Sequence, residues 1–233
     1  MRITVRHGDN AVWGPHVFLE GSGEAEEIRG AYAEQSADWP ALHFAIAEAK
    51  PEALDPWYRL GFAQMHAYAV RESGGERVPA PGVSIRRGGP GDIETALRLN
   101  RLIEEAQAAS PSYSSVAFED GPHRAEWEET LAAKDTTYFV AEDESGMAGH
   151  ATIYQDPVDE QALQLASTAV VPEARGRGIG VALTTHALAY AAEQGYPRMR
   201  TNWRVTNLGA SRFWPARGFQ LTHIRLVRRL PDL

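Results

Sequence analysis

Three alternating glycines, Gly176, Gly178 and Gly180, follow a predicted strand and open a predicted helix. Because glycine has no side chain, the backbone N–H groups of this turn can approach a ligand closely. The N-terminus of the helix contributes about half a positive charge, and Arg175 and Arg177 contribute two full charges. The pattern predicts a binding site for an anion, and a pyrophosphate group fits it.

Two common phosphate-binding signatures do not match this turn. A Walker A loop needs Gly-Lys-Ser/Thr at the start of the helix, where this sequence has Gly-Val-Ala. A dinucleotide fingerprint needs a third glycine at a position held here by Val181 or Leu183. The pattern that fits is Arg-x-x-Gly-x-Gly, which begins at Arg175 and ends at Gly180.

Hydrophobic periodicity in residues 83–233 predicts the elements that position the turn. The predicted strands are Val83–Arg87, Thr136–Ala141, Gly146–Tyr154, Gln161–Val171, Arg198–Arg204 and Phe219–Arg229. The predicted helices begin near Pro90, His123, Arg177 and Leu208. The order β-α-α-β-β-β-α-β-α-β predicts an α/β (α+β) fold, with antiparallel strands first and two β-α-β-like units after them.

A stretch rich in glycine, proline and charged residues precedes these elements. Such a composition is typical of a linker, which we assign to residues 76–82. The linker separates a first domain, residues 1–75, from a second domain, residues 83–233.

The first domain repeats part of the second. At a shift of 157 residues, seven of the 19 positions from Ala53 to Arg71 are identical, among them Trp57 with Trp214 and Gly61 with Gly218. We interpret the first domain as a truncated copy of the C-terminal half of the second.

Two motifs resemble the GNAT superfamily of acyl-CoA-dependent N-acetyltransferases. The first runs from Val170 to Leu183, and the second, between Asn207 and Phe219, looks like the family's N-x-x-A-x-x-F-Y-x-x-x-G-F segment. The resemblance covers residues 83–233 in element order. It implies a GNAT fold, a mixed central sheet with flanking helices, preceded here by a partial GNAT-like half domain.

The resemblance also implies acetyl-CoA as cosubstrate and assigns its contacts. In GNAT proteins the strand before the turn splays from its neighbour and binds the pantetheine arm, the turn binds the pyrophosphate, and an asparagine contacts the arm. The matching residues here are Thr168, Ala169 and Val170 on the strand, Arg175, Gly176, Arg177, Gly178, Ile179, Gly180 and Val181 in the turn, and Asn207. Asn207 could equally be the N-cap of the following helix.

The acid and base that many family members use are missing from the matching positions. Acetyl transfer needs a neutral amine, an oxyanion donor and an acid for the leaving thiolate. The tyrosine position holds Trp214, whose indole cannot act as an acid. The usual base positions hold Gln164 and Asn202, so the catalytic residues stay unassigned.

Other side chains could substitute, each with a competing structural role. His150 and Tyr154 share one face of a strand, and Tyr154 is either a stand-in acid or a packing residue. Tyr113 lies in the loop that lines the acceptor site in this fold. The remaining candidates are His123 as a helix cap or surface group, and His186 and Trp203 as core residues.

Composition excludes several classes of protein. The 233 residues are 43% hydrophobic, enough for a sizeable core, and contain no cysteine, which rules out disulfides and thiolate metal sites. No cluster of metal-ligating side chains is evident, so no metal site is predicted. The first ten residues lack the apolar core of a signal peptide, and no apolar run approaches the ~18 residues of a membrane span. A cytoplasmic protein without a membrane partner is expected.

The charge is unevenly distributed. A net charge of −8 argues against a nucleic-acid partner. Residues 81–160 carry 16 acidic and 6 basic side chains, whereas residues 161–233 carry 3 acidic and 10 basic ones. The basic part suggests an anionic ligand and the acidic part a cationic acceptor, although merely solvated helix faces explain the acidic part equally well.

The predicted function is transfer of an acetyl group from acetyl-CoA to an unidentified small-molecule or peptide amine. The alternatives are a catalytically silent acyl-CoA sensor, or an interaction module whose halves form a homodimer surface.

At the shift of 157 residues, Phe18 and Glu20 stand in place of Arg175 and Arg177. Only the second domain is therefore predicted to bind acetyl-CoA.

Overall fold

The computed structural model describes residues 3–10, 13–109 and 120–230. Its strands are β1 Thr4–Gly8, β2 His16–Glu20, β3 Leu42–Glu48, β4 Ala63–Glu72, β5 Ser84–Arg87, β6 Thr136–Asp143, β7 Gly146–Gln155, β8 Ala162–Val170, β9 Arg198–Arg204 and β10 Gln220–Arg229. Its α-helices are α1 Ala25–Gln35, α2 Pro51–Arg59, α3 Ile93–Ala109, α4 Asp120–Ala132, α5 Ile179–Glu193 and α6 Leu208–Ala216. None of the helices described is long and apolar enough to cross a membrane. The predicted mixed α/β class is confirmed.

The chain forms two compact units that interleave in sequence. The first contains the described residues up to Ala69, Trp203–Pro215 and those from Gln220 onward. The second contains Val70–Asn202 and Ala216–Phe219. The domain boundaries expected from the sequence stay a prediction.

The second unit contains a mixed sheet in the order β9-β8-β7-β6-β5. Strands β5 to β8 pair antiparallel, and β8 pairs parallel with β9. Helices α3 and α4 pack on one face, around Ala96, Trp127 and Tyr138. Helix α5 packs on the other face, because its residues Ile179 and Leu183 are buried against β7.

Gly149 of β7 allows α5 to approach the sheet closely. A Cβ atom at this position would lie 2.7 Å from the backbone oxygen of Ala169 and 3.2 Å from Cδ1 of Leu183. We expect Gly149→Ala to lower the free energy of unfolding by about 1–3 kcal/mol, because the sheet or the helix must move to make room. Chemical denaturation measures the change.

A matched control separates overpacking from the general effect of adding a methyl group. Gly91 has nothing within 4 Å of a Cβ position, and Gly91→Ala should leave stability unchanged or raise it slightly. Equal changes in the free energy of unfolding for Gly91→Ala and Gly149→Ala would contradict close packing at β7.

The first unit contains the strand order β1-β2-β3-β10-β4. Strand β10 pairs antiparallel with β3 and lies between β3 and β4, although it follows β3 by some 170 residues and β4 by some 150. Helices α1 and α2 pack on one face of this sheet, where the Tyr32 hydroxyl is 2.5 Å from His43 Nδ1. Helix α6 and strand β10 begin 157 residues after α2 and β4, from 51 to 208 and from 63 to 220. The interpretation of residues 1–75 as a truncated copy stays a prediction, which this spacing supports.

Candidate active site

Strand β8 pairs with β9 over only part of its length. The parallel ladder runs from Ala162–Arg198 to Leu165–Thr201. After Leu165, the β8 residues whose strand pairing is described all pair with β7, and the last of these pairs joins Val170 to Gly149. The register with β7 shifts between Thr152 and Ile153, which leaves Ala166 as an extra residue in β8. The C-terminal half of β8 therefore offers backbone hydrogen-bonding groups on its β9 side.

The turn after β8 presents unsatisfied backbone donors. Gly176 and Gly178 have φ angles of +79° and +82°, a left-handed conformation that glycine adopts readily. Gly178 is the N-cap of α5 and provides no side-chain cap, and the first turn of the helix has no acidic residue. The N–H groups of Ile179, Gly180 and Val181 therefore point out of the helix without an intrahelical partner. This is the arrangement that binds anions at helix N-termini.

The two arginines of the turn have different partners. Arg177 forms an ion pair with Asp143, whose side chain is only 3% exposed. Hydrogen bonds from Ser145 and Arg177 lower the pKa of this carboxyl group. Arg175 donates from Nε to the Val170 backbone oxygen at 3.2 Å, and no carboxylate pairs with it among the residues described. Arg175 is thus the arginine whose charge is available to a bound anion.

The three strand residues assigned to the pantetheine arm differ in burial. Ala169 is buried, and Thr168 and Val170 are partly exposed. The Thr168 hydroxyl oxygen is buried and has no hydrogen-bond partner within the described part of the chain. A buried hydroxyl without a partner is costly, and a ligand group lying along β8 would relieve that cost.

Asn207 lies in the first unit and caps helix α6. Its Oδ1 accepts a hydrogen bond from the Ala210 backbone N–H at 3.1 Å. The N-cap role anticipated from the sequence is present, and a contact with the cofactor stays a prediction. In the same unit Trp214 and Trp203 are each 7% exposed, and Trp203 donates from Nε1 to Ser211 Oγ. Both indoles are core residues.

Gln164 and Asn202, two positions considered for an acid or base, have side chains that do not titrate. Gln164 is buried and donates from Nε2 to the Leu165 backbone oxygen at 3.4 Å. Asn202 is exposed. Tyr154 lies opposite Gln164 on β7, and burial together with the nearby Asp156 carboxylate raises the pKa of its phenol. Tyr154 therefore retains its proton at neutral pH.

The histidine candidates are engaged in packing. His150 is fully buried, with Nδ1 3.0 Å from the Tyr138 hydroxyl and its ring stacked on Trp127. The His186 ring packs against Phe139 with a centroid separation of 4.6 Å. His123 lies in the first turn of α4. Tyr113 lies outside the described residues.

Several ion pairs join the acidic and basic parts of the sequence. Hydrophobic periodicity could not reveal them. Besides Arg177 with Asp143, Arg200 pairs with the buried Asp156 at 2.8 Å and Arg198 pairs with Asp159 at 3.0 Å. Three arginines of the basic part are thus neutralised by three aspartates of the acidic part. Part of the charge asymmetry is therefore neutralised within the second unit.

Helix α1 of the first unit differs from α5 at its N-terminus. The Glu27 side chain accepts a hydrogen bond from the Glu24 backbone N–H at 3.3 Å, and the Glu27 N–H donates to the Glu24 backbone oxygen at 3.0 Å. Glu26 and Glu27 place negative charge in the first turn. These carboxylates at the start of α1 would repel an anion brought to the same place.

The fold is that of the GCN5-related N-acetyltransferases. A GCN5-related N-acetyltransferase from Sphaerobacter thermophilus has a TM-score of 0.59 at 16% identity, with 98% of this chain and 78% of that chain covered. One from Kribbella flavida has a TM-score of 0.58 at 15% identity, with coverages of 99% and 91%. The aminoglycoside N-acetyltransferase AAC(6')-Iy, in complex with CoA, has a TM-score of 0.51 at 21% identity and coverages of 65% and 93%.

The sequence model of the acetyltransferase (GNAT) family matches residues 99–219, more than half of the chain. The chain therefore belongs to the GNAT acetyltransferase family. No curated protein sequence matches it significantly. The predicted resemblance, the fold class and acetyl-CoA as the cosubstrate are confirmed by these matches.

Proposed function

We propose that this protein transfers the acetyl group of acetyl-CoA to an amine. One observation carries the proposal: the turn of residues 171–178 joins the half of β8 that is not paired with β9 to the uncapped N-terminus of α5. The helix N-terminus suits a pyrophosphate and the unpaired half of β8 suits an extended arm with amide groups. The described residues therefore fit acetyl-CoA, which supplies an activated acetyl thioester when bound.

Each part of the site has a separate task in this proposal. The N–H groups of Ile179, Gly180 and Val181 bind the pyrophosphate, and Arg175 adds a positive charge. The free edge of β8 from Thr168 to Val170 aligns the arm, as an added strand would be aligned. Holding the acetyl group in one orientation lowers the entropic part of the barrier.

Proton transfer in this proposal relies on solvent. Gln164, Asn202 and Trp214 cannot accept or release a proton near neutral pH. The amine therefore has to lose its proton to water before it attacks, and the leaving thiolate is protonated by solvent. Tyr154 is the one phenol on the same strand face as His150, and its raised pKa makes it a weak acid.

The test is release of free thiol from acetyl-CoA in the presence of a panel of primary amines. We expect a slow rate that rises with pH towards the pKa of the amine, because the unprotonated fraction of the amine grows. Tyr154→Phe should leave this profile unchanged. A bell-shaped profile that Tyr154→Phe abolishes would show that a dedicated acid exists.

A second candidate function, a silent acyl-CoA sensor, is favoured by the lack of an acid or base at Trp214, Gln164 and Asn202. The two candidates differ in turnover. Calorimetric binding of acetyl-CoA without thiol release from any amine of the panel would favour the sensor. Release with carboxylate or phosphate acceptors alone would contradict the amine acceptor.

We expect one acetyl-CoA per chain. The carboxylates of Glu24, Glu26 and Glu27 at the N-terminus of α1 would repel a pyrophosphate from the equivalent helix terminus of the first unit. Calorimetric titration of the full chain should saturate near one equivalent. Saturation near two would show that α1 also binds the cofactor.

A further inference from the structure

The sheet of the first unit has a second face, on the side opposite α1 and α2. Six partly exposed side chains cluster there, which we call the aromatic–arginine pocket: Trp13, Phe18, His66, Tyr68, Arg204 and Arg225. The base beside it is apolar and consists of Phe44, Met65 and Val227. All these residues belong to the first unit, so the pocket is built independently of β8 and α5.

Arg225 is held between two aromatic rings. Its guanidinium carbon lies 5.5 Å from the centroid of Phe18 and 5.6 Å from that of Tyr68. Such contacts stabilise the cation, and they leave its N–H donors directed along the guanidinium plane. The Nε atom is buried and has no hydrogen-bond partner among the described residues. A buried charged donor without an acceptor is costly, which points to an acceptor supplied from outside the chain.

Arg204 and His66 add further donors. The guanidinium of Arg204 lies 5.8 Å from the ring of Trp13, and its Nη1 is 3.1 Å from His66 Nδ1. Because a guanidinium can only donate, Nδ1 must be the acceptor, so the ring proton of His66 is on Nε2. His66 is therefore neutral and presents an N–H donor of its own. Burial and the charges of Arg204 and Arg225 lower its pKa to about 2, in agreement with this assignment.

The acidic residues on this face do not neutralise the pocket. Glu20 forms an ion pair with Arg6 at one side of the sheet. Glu48 pairs with Lys50 at 2.7 Å. No ion pair of Arg225 is present in the described ranges of the chain, so its positive charge lacks a carboxylate partner.

We propose that the aromatic–arginine pocket binds a small organic carboxylate. A planar carboxylate can accept two parallel hydrogen bonds along the edge of a guanidinium. The rings of Phe18 and Tyr68 leave that edge as the direction of approach, and the apolar base suits the hydrocarbon part of such a ligand. The inference goes beyond acetyl transfer and stands whether or not the acetyl-CoA proposal holds.

The test uses sodium benzoate as the probe, titrated into the full chain and followed by isothermal titration calorimetry. Benzoate should bind with a dissociation constant on the order of 1 mM. Benzamide, which has the same shape without the charge, should bind at least about tenfold more weakly. Equal affinities for benzoate and benzamide would overturn the proposal, as would binding of inorganic phosphate with no binding of benzoate.

Variants locate the binding in the pocket. Arg225→Gln should weaken benzoate binding about tenfold or more. Arg229→Gln removes the same charge from an exposed residue of the same strand face and should leave binding unchanged. Arg225→Lys keeps the charge but loses the two-pronged geometry, so it should also weaken binding. Circular dichroism establishes which variants are folded, and wild-type affinity in either folded Arg225 variant would overturn the proposal.

Discussion

Gly178→Val should reduce the affinity for acetyl-CoA by about a hundredfold or more. The φ angle of +82° at Gly178 is one that a β-branched residue adopts only with strain. No described atom lies within 4 Å of the Cβ position, so the added side chain would occupy the space where the pyrophosphate would lie. Several charge-assisted hydrogen bonds, each contributing about 1.5–3 kcal/mol, would be lost together. Isothermal titration calorimetry measures the change.

The matched control lies at the other end of the same helix. Gly195 has a φ angle of +83° and likewise nothing within 4 Å of its Cβ position. Gly195→Val therefore introduces the same backbone strain in α5 without entering the turn. It should keep wild-type affinity. If a folded Gly178→Val protein binds as tightly as the wild type, the pyrophosphate lies elsewhere.

As the pH is lowered, the free energy of unfolding should begin to fall at a pH well above the range in which carboxylates titrate. Burial lowers the pKa of His150 to about 3, whereas a histidine in the unfolded chain has a pKa of about 6.5. Between these values the unfolded state binds one more proton than the folded state at this residue. Stability is therefore complete above pH ~6.5 and falls by up to about 1.4 kcal/mol per pH unit below it.

His43 and His66 act in the same direction, because their pKa values are also lowered by burial. Denaturant midpoints measured from about pH 7 to about pH 4.5 should decline steadily. The slope of stability against pH reflects how many more protons the unfolded state binds than the folded state, and His150→Gln should lower that number by about one. His7 is exposed, so His7→Gln serves as the control. A flat profile, or an equal change in slope for both variants, would contradict a neutral buried His150.

The elements of the second unit could be predicted because they depend on local patterns. The strands and helices lie within a few residues of their predicted bounds, because apolar runs and the turn residues that end them are local signals. Helix α5 begins at Ile179 rather than at the predicted Arg177, because Gly178 has a left-handed backbone conformation that a helix cannot contain.

The charge pattern was a poorer guide, because pairing between distant residues cannot be inferred from a local count. Arg198 and Asp159 are 39 residues apart and form two hydrogen bonds. Such pairs neutralise charges that the sequence shows as separate acidic and basic blocks. The cationic acceptor proposed from the acidic block thus rests on fewer carboxylates than the sequence indicates.

The aromatic–arginine pocket could not be predicted either. Its six side chains come from four strands and one loop, and Phe18 and Arg225 meet only because β2, β3 and β10 are neighbours in the sheet. No spacing rule joins residues so distant in sequence. The signal available was the aromatic and basic composition of β4 and β10 alone.

The position of β10 between β3 and β4 sets the order of events during synthesis. Residues up to Ala69 are made before residues 70–219, and β10, which pairs with β3, follows only after both. At roughly 5–20 residues per second, this delay lasts about 8 to 30 s. Throughout that interval the edge of β3 that faces β10 has no native partner, so the sheet of the first unit is completed only after residues 70–219 have been made. We therefore expect the residues up to Ala69 to depend on chaperones, which shield unpaired strand edges, more than the later-made second unit does.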